Sequence, residues 1–363
     1  MITLTTDPLG YSPEQHQQLG TSVFGDLYTD HRVLERERTH VFSASWSLVA
    51  SSDELQDAGS FVTCTIAGAP IAIVRDRDDT LRAFHNICRH RGITLLEGAG
   101  SLGRYMTCPY HQWSYSLNGD LARVPQDTEQ FADLDKCSLG LHSAQVAEWA
   151  GMVFVNPSPH AADFSTTMAG LDTRLDPFLA GPLQQVAKVE YEAACNWKLL
   201  VENHIDVYHL WYLHMRSLAA YEHRSFAWES LDDNWWSLEP LKDLSSINGG
   251  LDWIGKDMRG HIGAFLLFPN LMLVTTDDYF ATYDATPIAP DRTRLTLRVR
   301  STENADADAL VASIRSFMAE DVEACERMQD ADGSPHFNVG PLAATHEEPI
   351  RRFHGALRRR MFT

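Results

Sequence analysis

The sequence predicts an α+β fold in two parts: a small antiparallel β domain, and a larger domain in which an antiparallel sheet packs against a long helix. Three observations predict it. The chain has 363 residues, which exceeds one typical domain. Residues 46–157 hold short alternating or apolar runs separated by Gly, Asp, Asn and Pro. From residue 158 onward, strand-like segments are followed by a stretch with a strong helical period.

Each part of the chain has its own pattern. Residues 1–45 predict a polar arm followed by one or two short helices, which we expect to pack on the larger domain. In that domain the longest apolar run, GAFLLFPNLMLV, is broken by Pro269 and Asn270 and therefore predicts two buried strands joined by a turn. The segment DADALVASIRSFMAEDVEACERMQ predicts the long helix.

Composition limits the classes of function. The formal net charge is -19, from 30 Lys and Arg against 49 Asp and Glu, so the surface should repel nucleic acid and anionic membranes. The N-terminus lacks a basic start followed by an apolar core, and no stretch reaches about 18 uninterrupted apolar residues. We therefore expect a cytoplasmic protein that binds neither nucleic acid nor membrane.

The six cysteines do not indicate a disulfide scaffold, because the chain is long and carries no secretion signal. Four of them are expected to pack as small apolar groups: Cys64, Cys137, Cys195 and Cys325. The other two lie in a motif with histidines. CRHRG at residues 88–92 and CPYHQW at residues 108–113 give the spacing C-x-H, seventeen residues, C-x2-H.

Two kinds of metal site compete for this motif. Zinc accepts thiolate and imidazole, but common zinc fingers pair Cys with Cys and His with His, whereas each loop here supplies one of each. A two-iron cluster with two Cys on one iron and two His on the other needs that arrangement. A zinc-organised binding module therefore remains the alternative to an electron-transferring cluster.

In these two loops the sequence resembles the Rieske family. The resemblance implies that residues 46–157 form a Rieske domain with a 2Fe-2S cluster, in which Cys88 and Cys108 bind one iron and His90 and His111 the other. Neutral imidazoles in place of thiolates raise the reduction potential of such a cluster. The implied role of this domain is the transfer of single electrons.

A second motif follows in NWKLLVENHIDVYHLWYLH. Asp206, His209 and His214 form D-x2-H-x4-H, and two imidazoles with a distant carboxylate match the facial triad of non-haem ferrous iron. On a straight α-helix, residues five apart point about 140° apart. The helix should therefore be kinked or unwound between Leu210 and Leu213. We interpret His204 as a hydrogen-bonded core histidine.

The predicted long helix offers the third ligand. Its residues at steps of three or four form an otherwise apolar stripe that contains one aspartate: Ile314, Phe317, Asp321, Cys325 and Met328. An ionised carboxylate in such a stripe is costly unless a metal or cation meets it. Asp321 is thus the predicted carboxylate ligand, with an Asp321–arginine pair as the alternative.

The NWK, EN and YH residues, together with E-D-x4-E-x2-Q at Glu320, Asp321, Glu326 and Gln329, resemble the catalytic subunit of aromatic-ring-hydroxylating Rieske oxygenases. The resemblance implies a helix-grip (START-like) catalytic domain over residues 158–363 that holds a mononuclear Fe(II). It assigns the iron to Asp321, with Glu320 as the likeliest misassignment. It makes Asp206 a catalytic bridging acid that hydrogen-bonds a cluster histidine of the neighbouring subunit.

The implied function is that of a terminal oxygenase component. The subunit would use dioxygen to hydroxylate a small molecule. Electrons from NAD(P)H would arrive through a separate flavin reductase, with or without a ferredoxin. The expected assembly is a homotrimer, and the need for a β subunit stays open. Mono- or dihydroxylation of an aromatic or carboxylated compound ranks first, because Asp206 is typical of ring hydroxylases. Oxidative N-demethylation of a quaternary amine is the alternative, and a Rieske electron carrier without oxygenase activity is the remoter one.

Overall fold

The computed structural model describes residues 26–243, 250–332, 334, 336 and 340–361, which divide into two compact units. Phe42–Thr167 form one unit, and the described residues up to Val41 and from Met168 onward form the other. The sequence predicts the boundaries of the small β domain after residues 45 and 157, whereas the observed unit begins at Phe42 and ends at Thr167. The polar arm predicted before residue 26 lies outside the described residues. None of the helices in the described part of the chain is long and apolar enough to cross a bilayer.

Two N-terminal helices, α1 (Asp26–Thr29) and α2 (His31–His40), belong with the second unit. The side chain of Asp30 caps α2 by accepting the amide N–H of Arg32. The face of α2 that carries Val33, Leu34 and Glu37 is buried. These helices therefore contribute side chains to the interior of that unit.

The unit Phe42–Thr167 consists mainly of antiparallel strands. Its larger sheet has the order β1-β10-β9-β4-β3-β2-β5, and its smaller sheet the order β6-β7-β8. The strand bounds are β1 (Ser47–Ser51), β2 (Ser60–Ile66), β3 (Ala69–Arg75), β4 (Leu81–His85), β5 (Ala99–Ser101), β6 (Tyr105–Thr107), β7 (Ser114–Ser116), β8 (Leu121–Arg123), β9 (Ser143–Trp149) and β10 (Met152–Asn156). The short helices are α3 (Asp127–Gln130) and α4 (Phe164–Met168). Both Cys/His motifs lie in connections, one after β4 and one between β6 and β7.

The second unit contains an antiparallel sheet of order β11-β17-β16-β15-β14-β13-β12. The strand bounds are β11 (Gln184–Ala193), β12 (Ala227–Leu231), β13 (Asn234–Pro240), β14 (His261–Leu267), β15 (Leu271–Thr275), β16 (Phe280–Ala289) and β17 (Arg292–Ser301). Strands β14 and β15 pair from Gly263 with Thr275 to Leu267 with Leu271. The prediction of two buried strands joined by a turn is therefore confirmed.

The helices of this unit from Met168 onward are α5 (Leu171–Leu179), α6 (Trp197–Ile205), α7 (Ala307–Asp332) and α8 (Glu348–Met361). Helix α6 begins where the Asn196 side chain accepts the Lys198 amide, and all its residues except His204 are buried. Helix α7 is the predicted long helix. The predicted apolar stripe of this helix is wrong at one position. Met328 is 43% exposed, and the next residue, Gln329, is buried instead.

The expectation that four cysteines pack as apolar groups holds only in part. Cys195 and Cys325 are buried and Cys64 is partly buried, but Cys137 is exposed. Cys137 lies in the short turn Lys136–Leu139, none of whose residues is buried. Turns run along the surface because their backbone groups need water, so a residue type that is usually buried is placed in solvent here.

A buried ion pair joins α2 to α6. Lys198 Nζ lies 2.7 Å from Glu37 Oε1, and the two side chains are 3% and 0% exposed. The second carboxylate oxygen of Glu37 accepts the indole N–H of Trp197 at 2.8 Å. Both charges are thus compensated, which a pair buried this deeply requires.

Glu37→Gln should destabilise this unit by about 3 kcal/mol, because the Lys198 charge would stay buried without a counter-charge. Urea unfolding measures the change. Glu35→Gln is the matched control, since Glu35 lies on the same helix, is 66% exposed and pairs with Arg38, so its loss should cost less than about 1 kcal/mol. Equal effects of the two substitutions would show that the buried pair has no special role.

Candidate active site

The two Cys/His loops share one backbone geometry. In each loop the cysteine amide donates to the carbonyl five residues later, at 2.8 Å for both Cys88 and Cys108. The amide four residues after each cysteine donates back to the cysteine carbonyl. That position has positive φ in both loops, 76° at Gly92 and 59° at Gln112. Positive φ is easy for glycine and uncommon for glutamine, so the second loop holds a less favoured conformation.

The two Cys and two His side chains of these loops fit a two-iron cluster. The rings of His90 and His111 have centroids 4.7 Å apart, and the Nδ1 atom of each is buried without a hydrogen-bond partner. Cys88 and Cys108 are 2% and 1% exposed. Buried polar atoms without partners are costly unless a ligand meets them. Two thiols and two free imidazole nitrogens are the donor set that a Rieske cluster uses.

Tyr115 supports the first loop, and sequence reasoning missed it. Its hydroxyl accepts the amide of Arg89 at 3.0 Å and lies 3.5 Å from the Cys88 sulfur. Burial, and then the hydrogen bond to Cys88, raise the pKa of Tyr115, so the hydroxyl stays protonated and can donate to a thiolate. Hydrogen bonds to ligand sulfurs adjust the potential of iron–sulfur clusters. The available signal was the position of Tyr115, two residues beyond CPYHQW.

The second motif lies where α6 ends. The regular helix stops at Ile205, Asp206 is its extended C-cap, and His209–Trp211 form a separate short turn. The imidazole Nε2 atoms of His209 and His214 approach to 3.2 Å. The predicted break between the two histidines is confirmed, but it begins at Asp206, earlier than predicted.

Helix α7 brings Asp321 to the same point. Asp321 Oδ1 lies 2.9 Å from His214 Nε2 and 3.6 Å from His209 Nε2. One ligand atom from each residue lies within 4.8 Å of the others. Two imidazoles and one carboxylate that converge in this way fit a ferrous ion. The contacts of Asp321 are with histidines, so the alternative pairing with arginine is not what the structure shows.

Glu320 lies behind His214. Its carboxylate contacts His214 Nδ1 at 2.8 Å, and Ser217 Oγ lies 3.2 Å from the same nitrogen. A metal-binding histidine usually uses its second ring nitrogen in this way, which fixes the orientation of the ring. Glu320 therefore orients His214 and does not face the point where the three ligand atoms converge.

Asp206 lies behind His209. Its Oδ1 accepts the amide of Tyr208 at 2.6 Å, and its Oδ2 lies 3.5 Å from His209 Nδ1. The side chain of Asp206 is 16% exposed, so part of the carboxylate remains open to another partner. The structure thus shows one of the two imidazole contacts expected of a bridging acid.

A cavity adjoins the three converging side chains. Apolar and aromatic residues form much of its wall, among them Phe226, Trp235 and Phe317. His204 also lines it, with Nε2 at 3.0 Å from the carbonyl of Phe265. Burial lowers the pKa of His204 to about 4. His204 is hydrogen-bonded as expected, but it also borders the cavity.

Two models of known protein families match this chain. A model described as the ring hydroxylating alpha subunit, catalytic domain, matches residues 181–363, which is half of the chain. A model of the Rieske 2Fe-2S domain matches residues 45–143. The chain belongs to the Rieske non-haem iron oxygenase alpha subunits. Membership of this family implies a Rieske cluster and a mononuclear iron, and the two donor sets above fit both.

Two curated relatives of this Rieske oxygenase subunit differ in substrate. The carnitine monooxygenase oxygenase subunit of Escherichia coli (strain K12) is 36% identical over 213 residues, which are 58% of this chain and 56% of that protein. The anthranilate 1,2-dioxygenase large subunit of Acinetobacter baylyi is 33% identical over 205 residues, 55% of this chain and 44% of that protein. The chain thus spans about half the length of the curated relatives that it matches.

A solved structure shows that the fold is shared along nearly the whole chain. The crystal structure of a quaternary ammonium Rieske monooxygenase in complex with L-carnitine has a TM-score of 0.80 and 24% sequence identity. The alignment covers 93% of this chain and 95% of that one. At this identity the likeness shows the α+β fold alone.

Asp321→Ala should remove the mononuclear iron and leave the visible absorption of the cluster unchanged, because the cluster ligands lie in the other loops. Glu320→Gln is the matched control. It should weaken iron binding by about tenfold to a hundredfold, as expected when a metal-bound histidine loses its orienting partner. Iron analysis after dialysis against a chelator measures both. Full iron retention by Asp321→Ala would move the ligand role to another residue.

His204 should make the second unit less stable in acid. Its folded pKa of about 4 lies below the unfolded value of about 6.5, so only the unfolded chain gains a proton between these two pH values. The destabilisation is absent above about pH 6.5 and grows to about 3 kcal/mol as the pH falls to about 4. His204→Gln keeps a donor for the Phe265 carbonyl and should reduce the difference in urea midpoint between pH 7 and pH 5. An unchanged difference would contradict the assignment.

Proposed function

We propose that this Rieske oxygenase subunit is the terminal component of a multicomponent system that oxidises a methylated amine. The observation that carries the oxygenase part is the convergence of His209, His214 and Asp321 on one point beside a cavity. A purely electron-transferring Rieske protein has no need of this second donor set. A zinc-organised binding module would need neither the two unlike sites nor the cavity.

In this proposal Cys88, Cys108, His90 and His111 hold the 2Fe-2S cluster, and His209, His214 and Asp321 hold the iron. The cluster would supply single electrons, and the iron would offer open coordination positions to dioxygen next to the substrate. The chain's own residues keep the geometry. Glu320 orients His214, Asp206 contacts His209, and the apolar wall of the cavity keeps water from the reacting centre.

The wall of the cavity supports this substrate class. Phe226, Trp235 and Phe317 offer aromatic faces, which attract methylated ammonium groups. The charged side chains among the lining residues that the structure describes are acids, with neither Lys nor Arg to pair with a carboxylate. The relative named as a carnitine monooxygenase subunit supports the same class. We therefore place amine oxidation above the hydroxylation of a carboxylated aromatic compound.

Aromatic hydroxylation remains the second candidate. The anthranilate dioxygenase relative favours it, and so does aspartate rather than glutamate at position 206. Asp206 also lines the cavity, but its contacts are with His209 and the Tyr208 amide. The charge of the cavity acts on the substrate itself and supports placing amine oxidation first.

The reaction balances as a monooxygenation. One oxygen atom of dioxygen enters a C–H bond of an N-methyl group, and the hydroxymethyl product releases formaldehyde and the demethylated amine. The other oxygen atom leaves as water, for which two electrons and two protons are needed. We propose that the electrons come from NAD(P)H through a separate flavin reductase, with or without a ferredoxin.

The working assembly that we propose is a homotrimer, with a β subunit left open. The part of the Asp206 carboxylate that stays exposed would contact a cluster histidine of the neighbouring subunit. Close to Asp206 in sequence are three exposed large hydrophobic side chains, Tyr208, Tyr212 and Met215, at 42%, 63% and 70% exposure, and the rings of Tyr208 and Tyr212 have centroids 5.6 Å apart. A patch of this kind indicates a surface that another copy of the chain covers.

The experiment supplies the purified protein with NADH and a surrogate flavin reductase and offers methylated amines and aromatic acids in parallel. We expect reductase-dependent oxygen uptake with formaldehyde release for an amine, detected together with the mass loss of the product. A hydroxylated aromatic acid without formaldehyde would favour the second candidate. If neither the methylated amines nor the aromatic acids give reductase-dependent oxygen uptake, the proposed function is contradicted.

Asp206→Asn should keep both metals but slow electron passage from the cluster to the iron by about tenfold to a hundredfold, since the bridge loses its charge. Stopped-flow oxidation of the reduced cluster, with iron and cluster content measured on the same sample, separates slow transfer from metal loss. Asp206→Glu retains the charge and should recover part of the rate. A normal rate in Asp206→Asn would remove this residue from the electron path.

A further inference from the structure

One buried acid of the cavity takes no part in holding either metal. Trp235, Ser237 and Glu239 alternate along β13 and line the cavity, because every second side chain of a strand points to the same face. The row from Trp235 to Glu239 spans about 13 Å at the usual rise of a strand. Glu239 thus places a carboxylate at one end of a long, largely apolar wall.

Glu239 is only partly compensated within the described chain. It is 5% exposed, and its Oε1 lies 2.6 Å from Nδ1 of His223. The other ring nitrogen of His223 is buried without a hydrogen-bond partner. Lys242 also influences Glu239, but Lys242 is exposed and its Nζ donates to the carbonyl of Ala219. A carboxylate buried to this extent calls for a positive partner.

Apolar groups surround this carboxylate within the sheet. Ile262 on β14 is its antiparallel partner, and Ile262 lines the cavity as well. Phe226 also lines the cavity and lies one residue before β12, where the register of β12 with β13 places it opposite Glu239. An acid beside an aromatic ring is a combination that binds methylated ammonium groups.

The surrounding charges favour a cation further. Burial raises the pKa of Glu239, and the nearby carboxylate of Glu222 raises it too, while His223 and Lys242 oppose the shift. Asp277, Asp278 and Glu239 likewise raise the pKa of Tyr221, after burial. A cation placed beside Glu239 would relieve both the desolvation of the carboxylate and its repulsion by the neighbouring acids.

We propose that Glu239, oriented by His223, binds the cationic nitrogen of the substrate and makes the cavity selective for charge. The inference rests on the proposed function and adds the residue that recognises the substrate. Its consequence is discrimination between a cation and an uncharged molecule of the same shape. Binding the uncharged molecule would bury Glu239 further without a cation beside it, and sites of that kind reject such analogues strongly.

The test compares choline with its uncharged isostere, in which carbon replaces the nitrogen. Calorimetric titration of the oxidised, iron-loaded protein under anaerobic conditions gives both dissociation constants without turnover. Wild type should bind choline at least about tenfold more tightly than the isostere. Glu239→Gln keeps an acceptor for His223 and should lose most of this preference, with affinity for the isostere changed less than about threefold.

Two further variants serve as controls. Glu222→Gln removes the same charge near Glu239 but outside the cavity lining, and should keep the preference for choline. Glu239→Asp keeps the negative charge and should retain part of the preference for choline. Cluster absorption and iron content of every variant confirm that the site is assembled.

The outcomes distinguish a failure of the Glu239 role from a failure of the proposed amine substrate. If wild type prefers the cation and Glu239→Gln still does so, the role of Glu239 is overturned and the amine substrate stands. If wild type shows no preference for the cation, both this inference and the amine part of the proposed function fail. If Glu222→Gln loses the preference as fully as Glu239→Gln, the effect is one of general charge, and a binding role for Glu239 is overturned.

Discussion

The end of α6 at Asp206 is the constraint on which the active site depends. An uninterrupted helix would carry His209 and His214 about 140° apart, and no single ion could contact both. Because the helix stops, the two Nε2 atoms approach to 3.2 Å and Asp321 reaches them from α7. The same break exposes Asp206 as a C-cap residue, with a carboxylate against His209. Metal binding and the proposed electron path thus have one structural origin.

Buried polar contacts hold α6, which leads into the two histidines, and α7, which carries Asp321, in place. Glu202 on α6 accepts the hydroxyl of Tyr28 at 2.8 Å and contacts His354 of α8 at 2.9 Å. Gln329 on α7 accepts the amide of Asn196, the residue that caps α6. These contacts involve residues far apart in sequence, and each satisfies a polar group that would otherwise be costly to bury. They give structural roles to Asn196, Glu202 and Gln329, which accompany the ligands in the catalytic-domain motifs.

The donor residues could be predicted from the sequence because their chemistry is local. Spacing brought Cys88 and His90 into one loop, and the angle between His209 and His214 required a break in the helix. Other features could not be predicted, because they depend on which strands become neighbours. Glu239 belongs to no sequence motif. Only the pairing of β13 with β14 and the position of Phe226 show that apolar side chains surround it. Met328 shows that a helical period alone cannot mark where a buried stripe ends.

The central claim is that one polypeptide builds two iron centres of unlike ligation, one that transfers electrons and one that handles dioxygen. The most direct test is the ratio of iron to acid-labile sulfide in protein reconstituted with ferrous salt and sulfide. We expect about three iron atoms and two sulfides per chain, with the third iron removable by a chelator while the cluster remains. A ratio of two iron atoms to two sulfides would leave an electron carrier and contradict the oxygenase assignment.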